Sequence, residues 1–362
     1  MKLIKLLDTL YPLLKNKDPE VANKWALRGL SAIGFKGALK PDVPQLTQMI
    51  WGREFVSPVG LAAGMDKDAK AVNGHFHLGF GFVEMGTVTP LAQEGHDAPR
   101  VFKDQKTQSI INRLGFPSVG AEDFGRNLGS FHLQFENHWG QIGVNIGMNA
   151  QSDNPAEDFR QGVQNFGAMS DYLTLNMSSP NTKGLRDLQN PESLAPILDI
   201  VLEEREKIHE RLPALVVKIS PDIDPAMIDP LCQLFIEKQV NGVIISNTTL
   251  DRPAALDPEF AAQQGGLSGP LLAKKSTDLI FEFYKRLKGK VIIIGCGGIH
   301  DAGSAYDKIK AGAHLVQLYT GLVYKGPALV NDIHAGLITC LQQDGFQSIA
   351  EAVGCAHKGA TS

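Results

Sequence analysis

A polar stretch near the middle of the chain carries several groups that could act on a bound ligand. It runs from Asn176 to Arg186 and directly follows a short apolar run, Asp171–Leu175. Two carboxamides, Asn176 and Asn181, flank two neighbouring serines, and a proline fixes the backbone between them. A loop of this kind after a buried strand presents polar groups to a ligand rather than to the core. The residue types therefore predict a ligand-binding loop.

Ser179 is the candidate proton-transfer residue of this stretch. Ser-Pro-Asn is also ordinary turn chemistry, so the hydroxyl has a purely structural interpretation as well. The sequence shows no G-x-S-x-G elbow and no Ser-His-Asp arrangement that would make Ser179 a nucleophile. A serine can instead take a proton from a labile carbon acid if a water or hydroxyl relay accepts it. Spacing alone leaves both interpretations open.

Two lysines stand where a cation would serve a ligand. Lys218 lies near the end of the apolar run Leu215–Ser220, where its ammonium would be buried and would need an anionic partner. A salt bridge to a neighbouring strand and the electron-rich end of a flavin both meet that need. Lys67 follows Gly64 closely and fits either a solvated helix start or a ligand contact.

Glycines follow the last two apolar runs of the chain. Gly295–Gly298 and Thr320-Gly321 occupy the positions at which α/β barrels commonly bind phosphate, because glycine lets backbone N–H groups approach the anion. Neither a dinucleotide-binding G-x-G-x-x-G nor a P-loop motif occurs. Separately, the segment Asn112–Phe116 combines polar, apolar and turn residues, which predicts a lid or pocket wall with Asn112 bonded to a planar substrate.

The elements that must position these groups follow a regular rhythm of short apolar runs and helical segments. Eight runs are predicted as strands: Val59–Ala63, Phe80–Val88, Gly140–Ile146, Tyr172–Met177, Ala214–Ile219, Gly242–Ser246, Val291–Ile294 and Leu315–Tyr319. Helices are predicted over Ala156–Phe166, Ser193–Arg211, Pro225–Lys238, Ser276–Leu287 and Ala302–Lys310. This alternation favours an α/β fold, specifically a (β/α)₈ TIM barrel, in which all the strand ends would ring one pocket.

Composition sets the remaining bounds. The chain has 362 residues, 43% of them hydrophobic, and a formal charge of −4, which argues against general nucleic-acid binding. Its four cysteines show no C-x-x-C pair, so neither a disulfide framework nor a metal site is expected. The predicted organisation is a helical module over 1–40, a barrel over 41–343 and a tail over 344–362 that forms a short, fraying helix.

The first forty residues form a basic module, with eight lysines and arginines against three acidic residues. Its first helix carries one apolar stripe, formed by Leu3, Leu6, Leu7, Leu10 and Leu14, and bends or ends around Pro12. A second helix is predicted to begin at Asp18-Pro19-Glu20. A helical hairpin packed on its own domain and an interfacial membrane anchor both fit this pattern. A secretory signal fits poorly, because Asp8 interrupts the apolar run.

Taken together, the motifs resemble dihydroorotate dehydrogenases of the membrane-associated, quinone-dependent class (class 2). The resemblance rests on nine segments in order: Ala62–Lys67, Gly86–Pro90, Asn112–Phe116, Asn145–Gly147, Asn176–Thr182, Ser246–Arg252, Gly265–Gly269, Gly295–Gly298 and Leu318–Gly321. The basic N-terminal extension and a serine at 179, where the soluble class has cysteine, are the marks of this class. Ser246 and Met65 depart from the commoner threonine and leucine but keep the hydroxyl and the bulk.

The resemblance implies an activity and a role for each matched residue. Dihydroorotate would be oxidised to orotate in pyrimidine biosynthesis, with Ser179 removing the C5 proton while hydride passes from C6 to N5 of FMN. The implied substrate-binding residues are Lys67, Asn112, Arg113, Leu114, Gly115, Phe116, Asn176, Asn181, Asn247 and Thr248. The implied FMN-binding residues are Ala63, Gly64, Met65, Asp66, Lys67, Thr87, Asn145, Asn176, Lys218, Ser246, Gly269, Gly298, Tyr319 and Thr320.

The resemblance also implies partners and a location. The electron acceptor would be a membrane quinone, ubiquinone or menaquinone, reached through the N-terminal helices on the cytoplasmic face of the cell membrane, with peripheral attachment. No nucleic acid and no obligate protein partner is implied. Two alternatives are a soluble-class enzyme using fumarate or a partner's NAD, and a non-catalytic membrane-bound protein that retains an FMN or phosphate-ligand site.

Overall fold

The structure is a computed structural model that describes residues 4, 7–9, 11–15, 17–181, 184–209 and 211–358. Its strands are β1 (Gln48–Ile50), β2 (Arg53–Phe55), β3 (Val59–Leu61), β4 (Phe82–Val88), β5 (Val101–Asp104), β6 (Ser109–Asn112), β7 (Gln141–Ile146), β8 (Tyr172–Asn176), β9 (Ala214–Ile219), β10 (Gly242–Ile245), β11 (Gly266–Ser268), β12 (Ile292–Cys296) and β13 (Leu315–Leu318). Its helices are α1 (Pro12–Lys15), α2 (Pro19–Ile33), α3 (Val72–His77), α4 (Gly120–Gln134), α5 (Pro155–Phe166), α6 (Pro191–Glu206), α7 (Ile228–Glu237), α8 (Pro258–Ala261), α9 (Ala273–Leu287), α10 (Ala302–Ala311), α11 (Thr320–Lys325), α12 (Leu329–Asp344) and α13 (Ile349–Ala352). Short 3₁₀ turns cover Pro44–Leu46, Gly167–Met169, Leu185–Gln189, Pro225–Met227, Pro270–Leu272 and Cys355–His357.

Eight parallel strands close into a barrel in the order β3, β4, β7, β8, β9, β10, β12, β13, and β13 pairs back with β3. Seven of the eight predicted strands contain a whole barrel strand, and the eighth, Val291–Ile294, overlaps β12 but ends two residues before it does. The predicted (β/α)₈ architecture is therefore confirmed. The strands could be found from sequence because each is buried on both faces, which makes its sequence a nearly continuous apolar run.

Two apolar layers stabilise the barrel. The outer layer fills the space between the strands and the surrounding helices. The inner layer fills the barrel and is aromatic at its lower end, where the β1–β2 hairpin carries Trp51 and Phe55 against the interior residues Phe82 and Tyr172. The Phe55 and Phe82 rings meet edge to face at 5.5 Å, and the Trp51 and Tyr172 rings lie 5.8 Å apart. The hairpin therefore closes the N-terminal end of the barrel.

The predicted helices form, with shifts at their ends. Asp18 caps α2 by accepting from the N–H groups of Glu20 and Val21, as its sequence indicates. The segment predicted as one helix from Pro225 begins as a 3₁₀ turn before α7. The helix predicted to reach Arg211 ends at Glu206, where the following N–H groups bond three residues back and tighten the last turn.

The N-terminal helices pack on the C-terminal end of the barrel through polar contacts as well as apolar ones. Arg100 pairs with Glu20 at 3.0 Å, and Asn23 donates to the Met65 carbonyl at 3.0 Å. Lys103 donates to carbonyls at 15 and 17, at 2.8 and 3.1 Å. Three leucines of the predicted first stripe, at 3, 6 and 10, lie outside the described residues. No helix in the described part of the chain combines the length and hydropathy that crossing a bilayer requires.

Two further parts complete the fold. A three-stranded sheet, β5–β6–β11, lies apart from the barrel strands and joins residues 109–112 to 266–268. In the tail, α13 buries Ile349 and Ala352, and His357 stacks on Phe281 with ring centroids 3.8 Å apart. The tail is therefore docked as far as His357; a frayed end was predicted for it, and its last residues, 359–362, lie outside the described part of the chain.

Candidate active site

The carboxyl ends of the barrel strands open into a cavity of about 540 Å³, within the usual range of roughly 300–1,000 Å³ for small-molecule sites. Its far side is formed by the N-terminal helices, with Tyr11, Leu14, Ala26 and Leu30 among the lining residues. The predicted site residues that line it are Ala63, Met65, Lys67, Asn112, Leu114, Lys218, Ser246, Asn247, Thr248, Gly269, Gly298, Tyr319 and Thr320. One cavity therefore has a polar barrel rim and an apolar helical cover.

Three predicted residues form a buried hydrogen-bonded cluster at the ends of adjacent strands. The Thr87 hydroxyl donates to Asn145 Oδ1 at 2.6 Å, and Asn176 Nδ2 donates to Thr87 Oγ1 at 2.9 Å and to Asn145 Oδ1 at 3.1 Å. Asn145 is completely buried and Asn176 nearly so. Parallel neighbours β4, β7 and β8 bring these side chains together, although 31 residues separate the two asparagines in sequence.

The cluster continues to the end of β10 through Asn247. Asn247 Nδ2 donates to Ser178 Oγ at 2.9 Å and to Asn176 Oδ1 at 3.3 Å, and its own Oδ1 accepts from the Thr248 N–H at 2.8 Å. Thr248 Oγ1 is buried and has no hydrogen-bond partner among the described residues. This hydroxyl is thus free to bond a ligand in the cavity.

Ser179 lies beside the cluster, at the start of the loop after β8. Its side chain is almost buried, and its Oγ accepts from the Asn181 N–H at 3.2 Å. Asn181 in turn donates to the Asn112 carbonyl at 3.2 Å, which joins the loop to β6. The structure therefore brings Ser179, Asn181 and Asn112 to one place. Residues 182 and 183 of the predicted loop lie outside the described part.

Lys218 is a buried cation at the end of β9, directly opposite Asn176 in strand register. It makes no hydrogen bond or ion pair with any residue that the structure describes, so the salt bridge considered from sequence does not form within that part. Gln317, which also lines the cavity, likewise has a buried Oε1 without a donor there. A flavin supplies what these groups lack, because its ring carries hydrogen-bonding edges and gains electron density on reduction. The residues present fit FMN.

The glycines after β11 and β12 form the opposite part of the cavity. Gly269 and Gly298 have φ values of +114° and +81°, which favour glycine, and a Cβ on Gly298 would lie 2.4 Å from the backbone of Ala273 at the start of α9. Close by, the Thr320 and Ser268 hydroxyls are 2.8 Å apart. The backbone at Gly298 thus lies close to the start of α9, an arrangement that suits the binding of a phosphate group.

The segment Ala63–Lys67 divides its side chains between cavity and interior. The Asp66 carboxylate is completely buried and accepts from the N–H groups of Lys70 and Ala71 at 2.9 and 2.7 Å. Burial alone would raise the pKa of Asp66, but His75 and these N–H groups lower it overall. Asp66 thus shapes the loop from inside, while Gly64 accepts from Lys67 Nζ at 2.8 Å. Burial lowers the Lys67 pKa, against the opposing effect of Asp68.

The segment Asn112–Phe116 is only partly directed at the cavity. Asn112 and Leu114 line it, whereas the Arg113 guanidinium stacks 4.7 Å from the Phe102 ring and donates to the Pro99 carbonyl at 2.8 Å. The carbonyls of Gly115 and Phe116 accept from the Gln93 side chain at 3.3 and 2.8 Å. These last residues therefore set the shape of the wall.

Two groups around the site were missed from sequence. Arg186 crosses behind the loop, pairing with Asp222 at 3.0 Å and donating to the Thr248 carbonyl at 3.1 Å. Glu84, inside the barrel, accepts from Asn145 Nδ2 at 2.7 Å. A lone acid within the apolar run Phe80–Val88 was a readable signal, but its partners come from other strands and could not be foreseen.

Comparison with known proteins places this architecture in a family. A family profile described as Dihydroorotate dehydrogenase matches residues 45–341. The mitochondrial dihydroorotate dehydrogenase (quinone) of Arabidopsis thaliana is 40% identical over 365 residues, covering 94% of this chain and 79% of the relative. The dihydroorotate dehydrogenase (quinone) of Bradyrhizobium diazoefficiens is 39% identical, covering 97% of this chain and 96% of the relative.

Solved structures agree with the sequence relatives. A crystal structure of DHODH from Eimeria tenella in complex with ferulenol has a TM-score of 0.89 and 38% identity, and covers 94% of this chain and 96% of that one. A ligand-free structure of the Eimeria tenella protein gives the same TM-score at 39% identity. The chain belongs to the dihydroorotate dehydrogenase family of oxidoreductases and, within it, to the quinone-dependent class, class 2.

Proposed function

We propose that this protein oxidises (S)-dihydroorotate to orotate with bound FMN and passes the electrons to a membrane quinone, as a step of pyrimidine biosynthesis. The observation that supports this most directly is the set of carboxamides, Asn112, Asn176, Asn181 and Asn247, gathered along the loop that carries the nearly buried Ser179. Orotate is a planar ring with amide and imide edges, and carboxamides offer both donors and acceptors to such edges.

In this proposal, Ser179 Oγ takes the proton from C5 of dihydroorotate, and the C5–C6 double bond forms as hydride leaves C6. Bound FMN would supply the two-electron chemistry, taking up the hydride and returning two electrons to the quinone, which needs two protons to become quinol. A serine hydroxyl needs an onward acceptor for its proton, and Ser179 would pass it to water or a neighbouring hydroxyl.

The charged groups have separate roles in the proposal. Lys67, whose ammonium pKa is lowered by burial, would gain favourable charge interaction from the orotate carboxylate. Lys218, unpaired among the described residues, would stabilise negative charge at the flavin ring. Gly269, Gly298 and Thr320 would hold the FMN phosphate through backbone approach and hydroxyl contacts.

The quinone route would pass beneath the N-terminal helices. Residues of these helices line the apolar part of the cavity, and two of them, Leu13 and Trp25, are also 66% and 55% exposed. Exposed apolar side chains among lysines suit the interface of an anionic bilayer. We propose peripheral attachment at the cytoplasmic face of the cell membrane through this module.

Anaerobic spectroscopy tests the proposal. The purified protein should be yellow, should bleach when dihydroorotate is added, and should regain colour with a short-chain ubiquinone. NAD⁺ and fumarate should restore the colour far more slowly. A protein that stays colourless after incubation with FMN would contradict the proposal that FMN is its cofactor. A yellow protein that dihydroorotate never bleaches would contradict the proposed oxidation of dihydroorotate.

A further inference from the structure

A completely buried carboxylate, Glu84, stands at the centre of the barrel beneath the cavity. Its Oε1 accepts from Asn145 Nδ2 at 2.7 Å. Its Oε2 accepts from Gln317 Nε2 at 2.8 Å, from Tyr172 OH at 3.1 Å and from Thr174 Oγ1 at 3.2 Å. No cation donates to it among the described residues. Both oxygens are therefore occupied by neutral donors that come from β7, β8 and β13.

Both oxygens of Glu84 act as acceptors in all four contacts, and this pattern fixes the orientation of Asn145. The asparagine must direct its Nδ2 group at Glu84, which leaves its Oδ1 to face Thr87 and Asn176. The reverse orientation would place two acceptors against each other in a buried site, which is costly.

The constraint then passes outward along the cluster. Since the Thr87 hydroxyl donates to Asn145 Oδ1, its lone pair accepts from Asn176 Nδ2. Asn176 Oδ1 is thereby left to accept from Ser178 Oγ at 3.0 Å and from Asn247 Nδ2 at 3.3 Å. Each carboxamide between the barrel centre and the Ser179 loop is thus held in one of its two orientations.

A second branch runs through Gln317 and reaches the cavity independently. Its Nε2 is held by Glu84, so its Oε1 must point the other way. That oxygen is buried, lines the cavity and has no donor among the described residues. Glu84 therefore determines that Gln317 offers an acceptor, and not a donor, to whatever occupies the cavity.

We propose that Glu84 is a positioning residue of the active site. Through Asn145 and Gln317 it sets which side of each carboxamide faces the ligands, without touching them itself. The inference rests on the proposed function, since the ligands whose binding it governs are FMN and orotate.

Two substitutions separate this role from mere packing. Glu84→Gln keeps the shape but presents an N–H to either Asn145 or Gln317, so one of these amides must turn over. Glu84→Asp loses one methylene and leaves a gap, but still only accepts. If Glu84 acts only by packing, the glutamine variant should bind orotate more tightly than the aspartate variant. If Glu84 acts by its polarity, the aspartate variant should bind more tightly.

The measurement is the orotate Kd, followed by the change in flavin absorbance as orotate is added to the FMN-bound proteins. We expect Glu84→Gln to raise the Kd at least tenfold and Glu84→Asp no more than threefold. Thr174→Val, which removes one donor to the same carboxylate, should change it less than twofold. An aspartate variant weaker than the glutamine variant, or a glutamine variant equal to the wild type, overturns the proposal.

Two checks keep the outcome interpretable. If wild-type protein shows no spectral response to orotate, the proposed function fails, and the Glu84 inference fails with it; a normal wild-type response with an unchanged glutamine variant refutes the inference alone. Should Glu84→Gln not yield flavin-bound protein, flavin content replaces the orotate Kd as the measurement. Retention of flavin by Glu84→Asp then supports the polarity role, and loss of flavin from that variant as well overturns it.

Discussion

Arg186 and Asp222 form an ion pair, with Nη1 and Oδ2 3.0 Å apart, that fastens the loop carrying Ser179 to the segment after β9. The same guanidinium donates to the Ser178 carbonyl at 3.3 Å and to the Thr248 carbonyl at 3.1 Å. Asp222 also forms an ion pair with Lys275 and accepts a hydrogen bond from the Leu250 N–H. One arginine therefore holds three parts of the site in register, which makes it a direct target for substitution.

Arg186→Ala should lower kcat/KM for dihydroorotate by roughly 10- to 100-fold, because charge-assisted bonds that position the loop contribute about 1.5–3 kcal/mol. FMN content should stay at the wild-type level, since Arg186 contacts none of the proposed flavin residues. Stopped-flow flavin reduction measures the effect. Lys275→Met, which removes the other ion pair of Asp222 but leaves the loop, serves as the matched control. Equal losses in both variants would contradict a specific role for the loop tether.

Ser179→Ala should retain yellow colour and orotate binding but reduce its flavin at least about 100-fold more slowly, the usual contribution of a positioned acid–base group. Anaerobic flavin reduction by dihydroorotate is the measurement, and near-normal reduction would remove Ser179 from the proposed role. Ser179→Cys should recover part of the rate, with the rate rising as pH approaches the ordinary thiol pKa of about 8.5.

Lys308→Met should flatten the pH dependence of stability above neutrality. Lys308 is completely buried among neutral oxygens of Ser276 and Thr277, and burial lowers its pKa from 10.5 to about 7. Between these values the unfolded chain binds more protons, so the wild-type unfolding free energy rises with pH, by up to about 1.4 kcal/mol per unit from this group. Below pH 7 the lysine is charged in both states and its burial cost is fully present.

Urea unfolding at pH 7, 8 and 9 with saturating FMN checks this expectation. The free energy of unfolding of Lys308→Met minus that of the wild type should be greatest at pH 7 and should fall at each higher pH. Lys310→Met, whose lysine lies two residues further along α10 and is partly exposed, removes a lysine that is not buried and serves as the matched control. A constant difference for Lys308→Met would show that the lysine does not lose its proton over this range.

Trp25→Ser should weaken binding to anionic vesicles about threefold or more while leaving flavin reduction by dihydroorotate unchanged, because Trp25 is 55% exposed on the N-terminal module. Sedimentation with vesicles containing phosphatidylglycerol gives the bound fraction. Met49→Ser is the control, since Met49 is 69% exposed but lies on the hairpin at the opposite end of the barrel. Equal loss of binding in both variants would reject the N-terminal module as the membrane contact.

Local pattern was sufficient for the barrel strands and insufficient for the elements that cover its two ends. Each barrel strand lies in a nearly continuous apolar run, whereas β1, β2 and β11 are three-residue strands of mixed composition that lie outside such runs. The sheet that pairs β6 with β11 joins segments some 150 residues apart, so nothing local predicts it. Its existence follows from tertiary packing alone.

The candidate site divides in the same way. Residues at strand ends, such as Asn145 and Lys218, could be placed from sequence because barrel topology brings all strand ends to one face. The orientation of each carboxamide could not be predicted from sequence, because it depends on hydrogen-bond partners from several strands. Asp66 shows the limit: its segment was correctly expected near the cavity, yet its carboxylate faces inward and holds the turn. The roles assigned to individual residues stay predictions.

The aromatic hairpin formed by β1 and β2 closes one end of the barrel, and among the described residues the barrel interior opens toward the cavity at the other end. Trp51 and Phe55 stop its lower end, so no ligand can pass straight through. A ligand bound at the strand ends would therefore enter and leave on the side of the cavity. The N-terminal helices roof one part of that rim, and the Ser179 loop with β6 borders another. A polar ligand and an apolar ligand would therefore meet different walls at one shared opening.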